Sequence, residues 1–310
     1  MKLLVDTDPG ADDAVAILLA VRTPGTDVVA LTTVAGNVDV DQATRNALKT
    51  LSIAGRLDVP VHRGAPEGLV ATPLERADRV HGRDGFGDHH FDPVGTEHPD
   101  AALDATLTLF RQHASELTYV ALGPLTNLAH AIQADADTCR RVGQVVIMGG
   151  AGDGLGNVTP AAEYNFWCDP EAARIVLHSG LPLRLVGWDV SRRDAVFTAA
   201  DVDRLRASAD PVARFAAAVT RRYFAFASSN HLPGAMDLPD PVAMAAALEP
   251  DHASWRRVAA DVECRGELTR GALVIDHWGT TGAAPNVDLC TGFDHDRFVE
   301  TLVARLTDAS

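Results

Sequence analysis

Lys2-Leu3-Leu4-Val5-Asp6-Thr7-Asp8-Pro9-Gly10-Ala11-Asp12-Asp13-Ala14 opens the chain, and its reading decides the fold. The apolar run Lys2 to Val5 predicts a buried strand, Pro9-Gly10 a sharp turn, and the run from Ala14 to Ala20 the start of a packed helix. Asp6, Asp8, Asp12 and Asp13 then crowd the carboxyl end of that strand, the edge at which open α/β sheets bind ligands. Carboxylates at this spacing repel one another unless a cation neutralises them, and hard oxygen donors suit calcium or magnesium rather than zinc. Aspartate also caps helices in such turns, which would account for Asp8 or Asp12 but not for all four.

Working outward, short apolar runs alternate with longer Ala- and Leu-rich helical patterns. Strands are predicted over 2–5, 28–34, 117–122, 144–148 and 183–187, with helices over 41–54, 125–134 and 170–179 between them. That rhythm predicts one α/β domain over residues 1–310. Its open, mainly parallel central sheet would carry helices on both faces in a Rossmann-like arrangement, with the site at the carboxyl ends of the strands. The segment 75–99 is long, polar and rich in Gly, His and Asp without a period, as functional loops are.

With 310 residues, 46% of them hydrophobic, the chain can bury a large core. Its 27 basic against 42 acidic residues give a formal charge of −15, which disfavours binding to nucleic acid phosphates. No apolar run is long enough for a membrane span, and the N-terminus lacks a secretory signal, so the chain is expected in the cytoplasm. Cys139, Cys168, Cys264 and Cys290 are scattered without zinc spacing and read as buried thiols. No G-x-G-x-x-G follows a strand, so no dinucleotide or flavin cofactor is implied.

Each later strand ends in glycine and a small polar group: Val34-Ala35-Gly36-Asn37, Leu122-Gly123-Pro124-Leu125-Thr126-Asn127 and Met148-Gly149-Gly150. Glycine lets a ligand approach the backbone, and Asn37 offers both a donor and an acceptor. Together these turns outline one crevice at one edge of the sheet.

Asp6-Thr7-Asp8-Pro9-Gly10-Ala11-Asp12-Asp13-Ala14 resembles the N-terminal signature of the inosine-uridine-type nucleoside hydrolases, which cleave the N-glycosidic bond of ribonucleosides. The likeness extends over nearly the whole chain, through the turns just quoted, Glu163-Tyr164-Asn165-Phe166, Asp169-Pro170-Glu171-Ala172-Ala173 and Asp240-Pro241. The resemblance implies a calcium ion held by Asp8, Asp13, the Leu122 carbonyl and Asp240, with Asp8 also the base that activates a calcium-bound water. It implies that Asp12, Asn37, Glu163, Asn165 and Asp240 bind the ribose hydroxyls, with Met148 packing close by. Asp6 is expected to brace the loop from behind. The lesser alternative for Glu163 and Asn165 is a helix cap ahead of Asp169-Pro170, and Met148 could as well simply fill core. Relatives form homodimers and homotetramers, and the same is expected here.

The leaving-group side departs from the family pattern. A histidine or tryptophan usually precedes the late aspartate, whereas Leu238-Pro239-Asp240-Pro241 has a proline that can neither donate a proton nor stack as an aromatic ring. His81, in Val80-His81-Gly82, matches a histidine of the family's first mobile loop and is the favoured proton donor, ahead of His89, His90 and His231. Trp167 and His231 are candidate base contacts, Trp167 alternatively a core residue. Two other readings compete. Asp6-x-Asp8 also fits an aspartyl-phosphate phosphatase, but that scheme needs a late lysine, and lysine occurs only at Lys2 and Lys49. A calcium-dependent ribose- or nucleoside-binding protein without catalysis is the alternative that Pro239 favours.

Overall fold

The computed structural model describes residues 1–70, 76–92 and 94–307. Its strands are β1 (Lys2–Thr7), β2 (Asp27–Thr33), β3 (Val61–Arg63), β4 (Leu117–Ala121), β5 (Gln144–Met148), β6 (Leu183–Val186), β7 (Val196–Thr198), β8 (Ala235–Asp237), β9 (Ala253–Val258), β10 (Ala260–Val262), β11 (Leu273–Ile275) and β12 (Val287–Phe293). Eight of them form one sheet in the order β3-β2-β1-β4-β5-β6-β12-β9. Every neighbouring pair is parallel except β12 with β9. The remaining strands form two small antiparallel pairs, β7 with β8 and β10 with β11.

β1 is buried on both faces. Leu3 and Val5 pack into one apolar cluster and Leu4 into the other, which is why the strand reads as a continuous apolar run rather than an alternating one. On the first face lies α1 (Ala11–Arg22), buried from Ala11 to Ala20. This helix begins three residues earlier than its apolar pattern suggested, so Asp12 and Asp13 sit in its first turn, where the positive end of the helix dipole faces them. The chain runs from β1 outward to β2 and β3, then returns to the other side of β1 for β4. That reversal opens a crevice at the carboxyl end of β1, between the turns that follow β2 and β4.

The predicted strands fall within a residue or two of their observed bounds. Two features differ from expectation. The edge of the sheet past β6 is made by β12 and the antiparallel β9, whose alternating exposure and arginines mark a solvated edge strand. The polar segment 75–99 holds a short helix, α3, after α2 (Val40–Ile53); α3 spans Asp78–His81. The following turn is tied down by Asp84, which accepts from the amides of Phe86, Asp88 and His90. Glu75 and Pro93 of that segment lie outside the described residues. Among the described residues, no helix is long and apolar enough to cross a membrane.

Candidate active site

The turn after β1 carries Asp8 into a slot that only glycine neighbours permit. A β-carbon on Gly36, after β2, would lie 2.0 Å from Asp8 Oδ2, and one on Gly123, after β4, would lie 2.6 Å from Asp8 Oδ1. These glycines therefore make room for the carboxylate itself, where the sequence had suggested room for a ligand. Asp8 Oδ2 accepts the Asn37 amide at 2.6 Å, while Oδ1 is buried without a hydrogen-bond partner.

Asp13 is the most firmly held member of the cluster. Its Oδ1 accepts from the Thr7 hydroxyl at 2.5 Å, and its Oδ2 from the Gly10 amide at 2.9 Å and Asn37 Nδ2 at 3.2 Å. Asp240 joins from the first turn of the helix Pro239–Leu248. Oxygens of Asp12, Asp13 and Asp240 lie within 4.8 Å of one another, close enough to share a cation. Asp12 Oδ1, like Asp8 Oδ1, has no hydrogen-bond partner, and lies 3.8 Å from His81 Nδ1. Buried oxygens left unpaired are costly unless something outside the protein satisfies them, so the donor set fits a hard divalent cation. Burial first, then the charge of Asp13, pushes the pKa values of Asp8, Asp12 and Asp240 well up, as expected of carboxylates that need such a counter-charge.

Asp6 lies behind this cluster. Its Oδ1 accepts from Thr32 Oγ1 at 2.6 Å and Asn127 Nδ2 at 2.7 Å, and burial pushes its pKa up to about 6. Asn127 also reaches the Thr33 carbonyl and the Ala65 amide, tying the ends of β1, β2 and β3 together. That is the bracing role expected of Asp6.

Above the cluster is a cavity of about 250 Å³ lined by Asp12, Asn37, His81, Leu122, Met148, Glu163, Asn165, His231, Pro239 and Asp240. The residues expected to hold ribose, together with Met148, thus converge from five separate segments. Glu163 serves in both readings: it lines the cavity and caps the helix Tyr164–Cys168 by accepting from the Asn165 and Phe166 amides. It also accepts the Gly150 amide at 2.8 Å, and burial, partly offset by these bonds, pushes its pKa up to about 7. Asn165 Nδ2 donates to the carbonyls of Leu122 at 2.7 Å and Met148 at 3.3 Å. The Leu122 oxygen keeps a second lone pair for a further partner.

His81 is buried against the start of α1. Its Nδ1 accepts the Ala11 amide at 3.2 Å, which places the proton of the neutral ring on Nε2. Burial, and then Arg222, pulls its pKa down to about 4. His231 lines the same cavity. His89 and His90 do not reach it: His89 contacts the Ala218 carbonyl, and the His90 side chain is 79% exposed. Nor does Trp167, which packs beside Tyr164 and the backbone of Gly271. Of the helix Tyr164–Cys168, Tyr164 and Asn165 line the cavity.

The structure adds three residues that the sequence reading did not single out. Trp188 follows β6 and Tyr223 lies on the helix Arg221–Asn230; both line the cavity, and behind them Asp237 is fully buried. Trp188 could have been found, because it directly follows a predicted strand, where the other functional turns lie. Asp237 carries no local signal.

A doubly wound sheet whose switch point holds a caged acidic cluster beneath a cavity of mixed polar and apolar lining suits a metal-dependent hydrolase. The model of the inosine-uridine preferring nucleoside hydrolase family matches residues 3–300, and the chain belongs to that family. It is 38% identical over 314 residues to the pyrimidine-specific ribonucleoside hydrolase RihA of Enterobacter sp. (strain 638), covering 100% of this chain and 99% of that one. A plant nucleoside hydrolase, the PpNRh1 enzyme, superimposes with a TM-score of 0.93 at 34% identity, over 99% of both chains. The purine-preferring ribonucleoside hydrolase from Gardnerella vaginalis does so with a TM-score of 0.92 at 28% identity, over 99% of this chain and 98% of that one.

Proposed function

We propose that the chain is a calcium-dependent ribonucleoside hydrolase that releases ribose and a free base, with pyrimidine nucleosides preferred. The observation that carries this reading is Asp8: a carboxylate enclosed by Gly36 and Gly123, one oxygen fixed by Asn37 and the other unpaired, beside the Asp12, Asp13 and Asp240 oxygens. The pyrimidine preference is supported by the full-length similarity to RihA.

Asp8, Asp13, Asp240 and the Leu122 carbonyl would hold the cation, with Asp12 beside them. When bound, the ion neutralises these carboxylates and polarises the oxygens it touches, only modestly for calcium. Asp8 Oδ1 accepts a proton from the water that attacks the anomeric carbon, and Asn37 holds the other oxygen so that the base does not rotate away. Asp12, Asn37, Glu163, Asn165 and Asp240 bind the ribose hydroxyls. A sugar lacking one of these hydroxyls leaves buried polar groups unpaired, so deoxyribonucleosides are rejected. Met148 and Leu122 line the cavity and would shield a bound ribose from bulk water.

The test is ribose release from uridine, cytidine, inosine, adenosine and guanosine in calcium, beside Asp8→Asn. We expect turnover of uridine or cytidine fastest and a loss of about 10³-fold or more in the variant. Tight calcium binding with no release from any nucleoside would sink the hydrolase reading and leave a binding protein in its place.

A further inference from the structure

Asp237 ends β8 three residues before Asp240, and its side chain is 0% exposed. It accepts from four groups on two segments, the helix Trp188–Asp194 and the helix Arg221–Asn230 with its C-cap. Tyr223 Oη and His231 Nε2 each lie 2.9 Å from Oδ1, while Trp188 Nε1 lies 2.7 Å and Ser191 Oγ 3.3 Å from Oδ2. Burial alone would raise this carboxyl, but the bonds from His231, then Tyr223 and Trp188, hold it below its ordinary value. Asp237 is therefore a buried anion, and of its four partners only His231 can carry a positive charge.

The same contacts define the histidine. Nε2 is committed to Asp237, so Nδ1 is the position at which a second proton enters and leaves. The ring stands edge-on to Trp188, with centroids 5.6 Å apart, and lines the cavity together with Trp188, Tyr223, Phe226 and Pro239. Trp188, Tyr223 and Phe226 give this wall aromatic side chains against which a planar base would stack. His81, whose ring centroid lies 5.4 Å from that of Tyr223, is differently bonded. Its Nδ1 is filled by a backbone donor at the positive end of α1, an arrangement that holds an imidazole neutral.

We infer that His231 is the acid that protonates the departing base, and that Asp237 is the positioning residue that orients it and balances its charge. This rests on the hydrolase reading above. As the bond from the anomeric carbon to the base breaks, its electron pair passes to the base, and the Nδ1 proton of His231 moves onto the base. His231 is left neutral with Nε2–H still on Asp237, while the proton taken from water by Asp8 returns to solvent. The pair supplies from the end of the helix Arg221–Asn230 what Pro239 cannot supply beside Asp240.

The test compares the best nucleoside with p-nitrophenyl β-D-ribofuranoside, whose phenolate departs without protonation. In His231→Gln the ratio of kcat on the nucleoside to kcat on the nitrophenyl riboside falls about 10²-fold, and in Asp237→Asn at least about tenfold, with nucleoside KM little changed. His81→Gln lowers both substrates together. Turnover of the nitrophenyl riboside reports that each variant is folded, and because His231 is partly exposed its variant carries the test if Asp237→Asn does not fold. An unchanged ratio in His231→Gln, or a ratio that collapses in His81→Gln instead, overturns the assignment. A wild-type protein inactive on both substrates overturns the hydrolase reading itself, and this one with it.

Discussion

Replacing Gly123 by alanine tests whether Asp8 acts where the structure holds it. The added β-carbon would meet Asp8 Oδ1 at 2.6 Å and Cγ at 2.9 Å, about 0.8 Å short of where ordinary contact begins at 3.4 Å. Gly123 does not have a left-handed backbone, so alanine adds volume there without torsional strain. Retreat of Asp8 would break the 2.6 Å bond that its Oδ2 accepts from the Asn37 amide. Relief must come from moving the carboxylate by most of an ångström or shifting the turn that carries the Leu122 carbonyl. A displacement near 1 Å at a reacting group costs about 10²-fold in rate, equivalent to about 2.7 kcal/mol in the barrier. Overpacking adds about 1–3 kcal/mol of destabilisation. Gly292→Ala is the control, since its β-carbon would sit in ordinary contact at 3.5 Å from Asp194. The assay is ribose release in saturating calcium, with thermal unfolding measured alongside. If Gly123→Ala keeps kcat within about threefold of wild type while remaining folded, the placement of Asp8 is not what limits the chemistry.

Three further outcomes follow from the same geometry. Because burial raises Asp8, Asp12 and Asp240 in the ion-free protein, binding a cation displaces protons, so the gain in melting temperature on adding calcium should grow from pH 5 to pH 8; a gain that shrinks with rising pH would contradict the raised carboxylates. Asn127→Ala removes a buried amide that joins Asp6, Thr33 and Ala65, and should cost about 2–4 kcal/mol in denaturant unfolding; a loss under about 0.5 kcal/mol would mean those bonds are replaced by water. With the best nucleoside, the 2′-deoxy analogue should lose at least about 10³-fold in kcat/KM, and near-equal rates would remove the hydroxyl contacts from the mechanism.

Much of the site was legible in the sequence because parallel sheets place their functional turns after the strands. Gly36-Asn37, Leu122-Gly123 and Met148-Gly149 each follow a strand that its apolar run reveals, and all converge on the cavity. The reading failed where no such period exists. Trp167 was a candidate base contact from its neighbours in sequence, but its ring packs beside Tyr164, and it is Tyr164 that lines the cavity. His81 was legible as a cavity residue, but the amide that fixes its proton belongs to Ala11, seventy positions earlier.

The sequence by itself determined the α/β alternation, the acidic cluster at the end of the first strand, and the loss of the usual residue at Pro239. Those follow from local apolar periods and from chemistry confined to a few neighbouring positions. Tertiary structure alone decided which carboxylates share an oxygen cage, why Gly36 and Gly123 are needed, and that Asp237 gathers Trp188, Tyr223 and His231. Each of those depends on strand order and on buried partners far apart along the chain, and a buried charge is recognised only when the groups that satisfy it have been brought together.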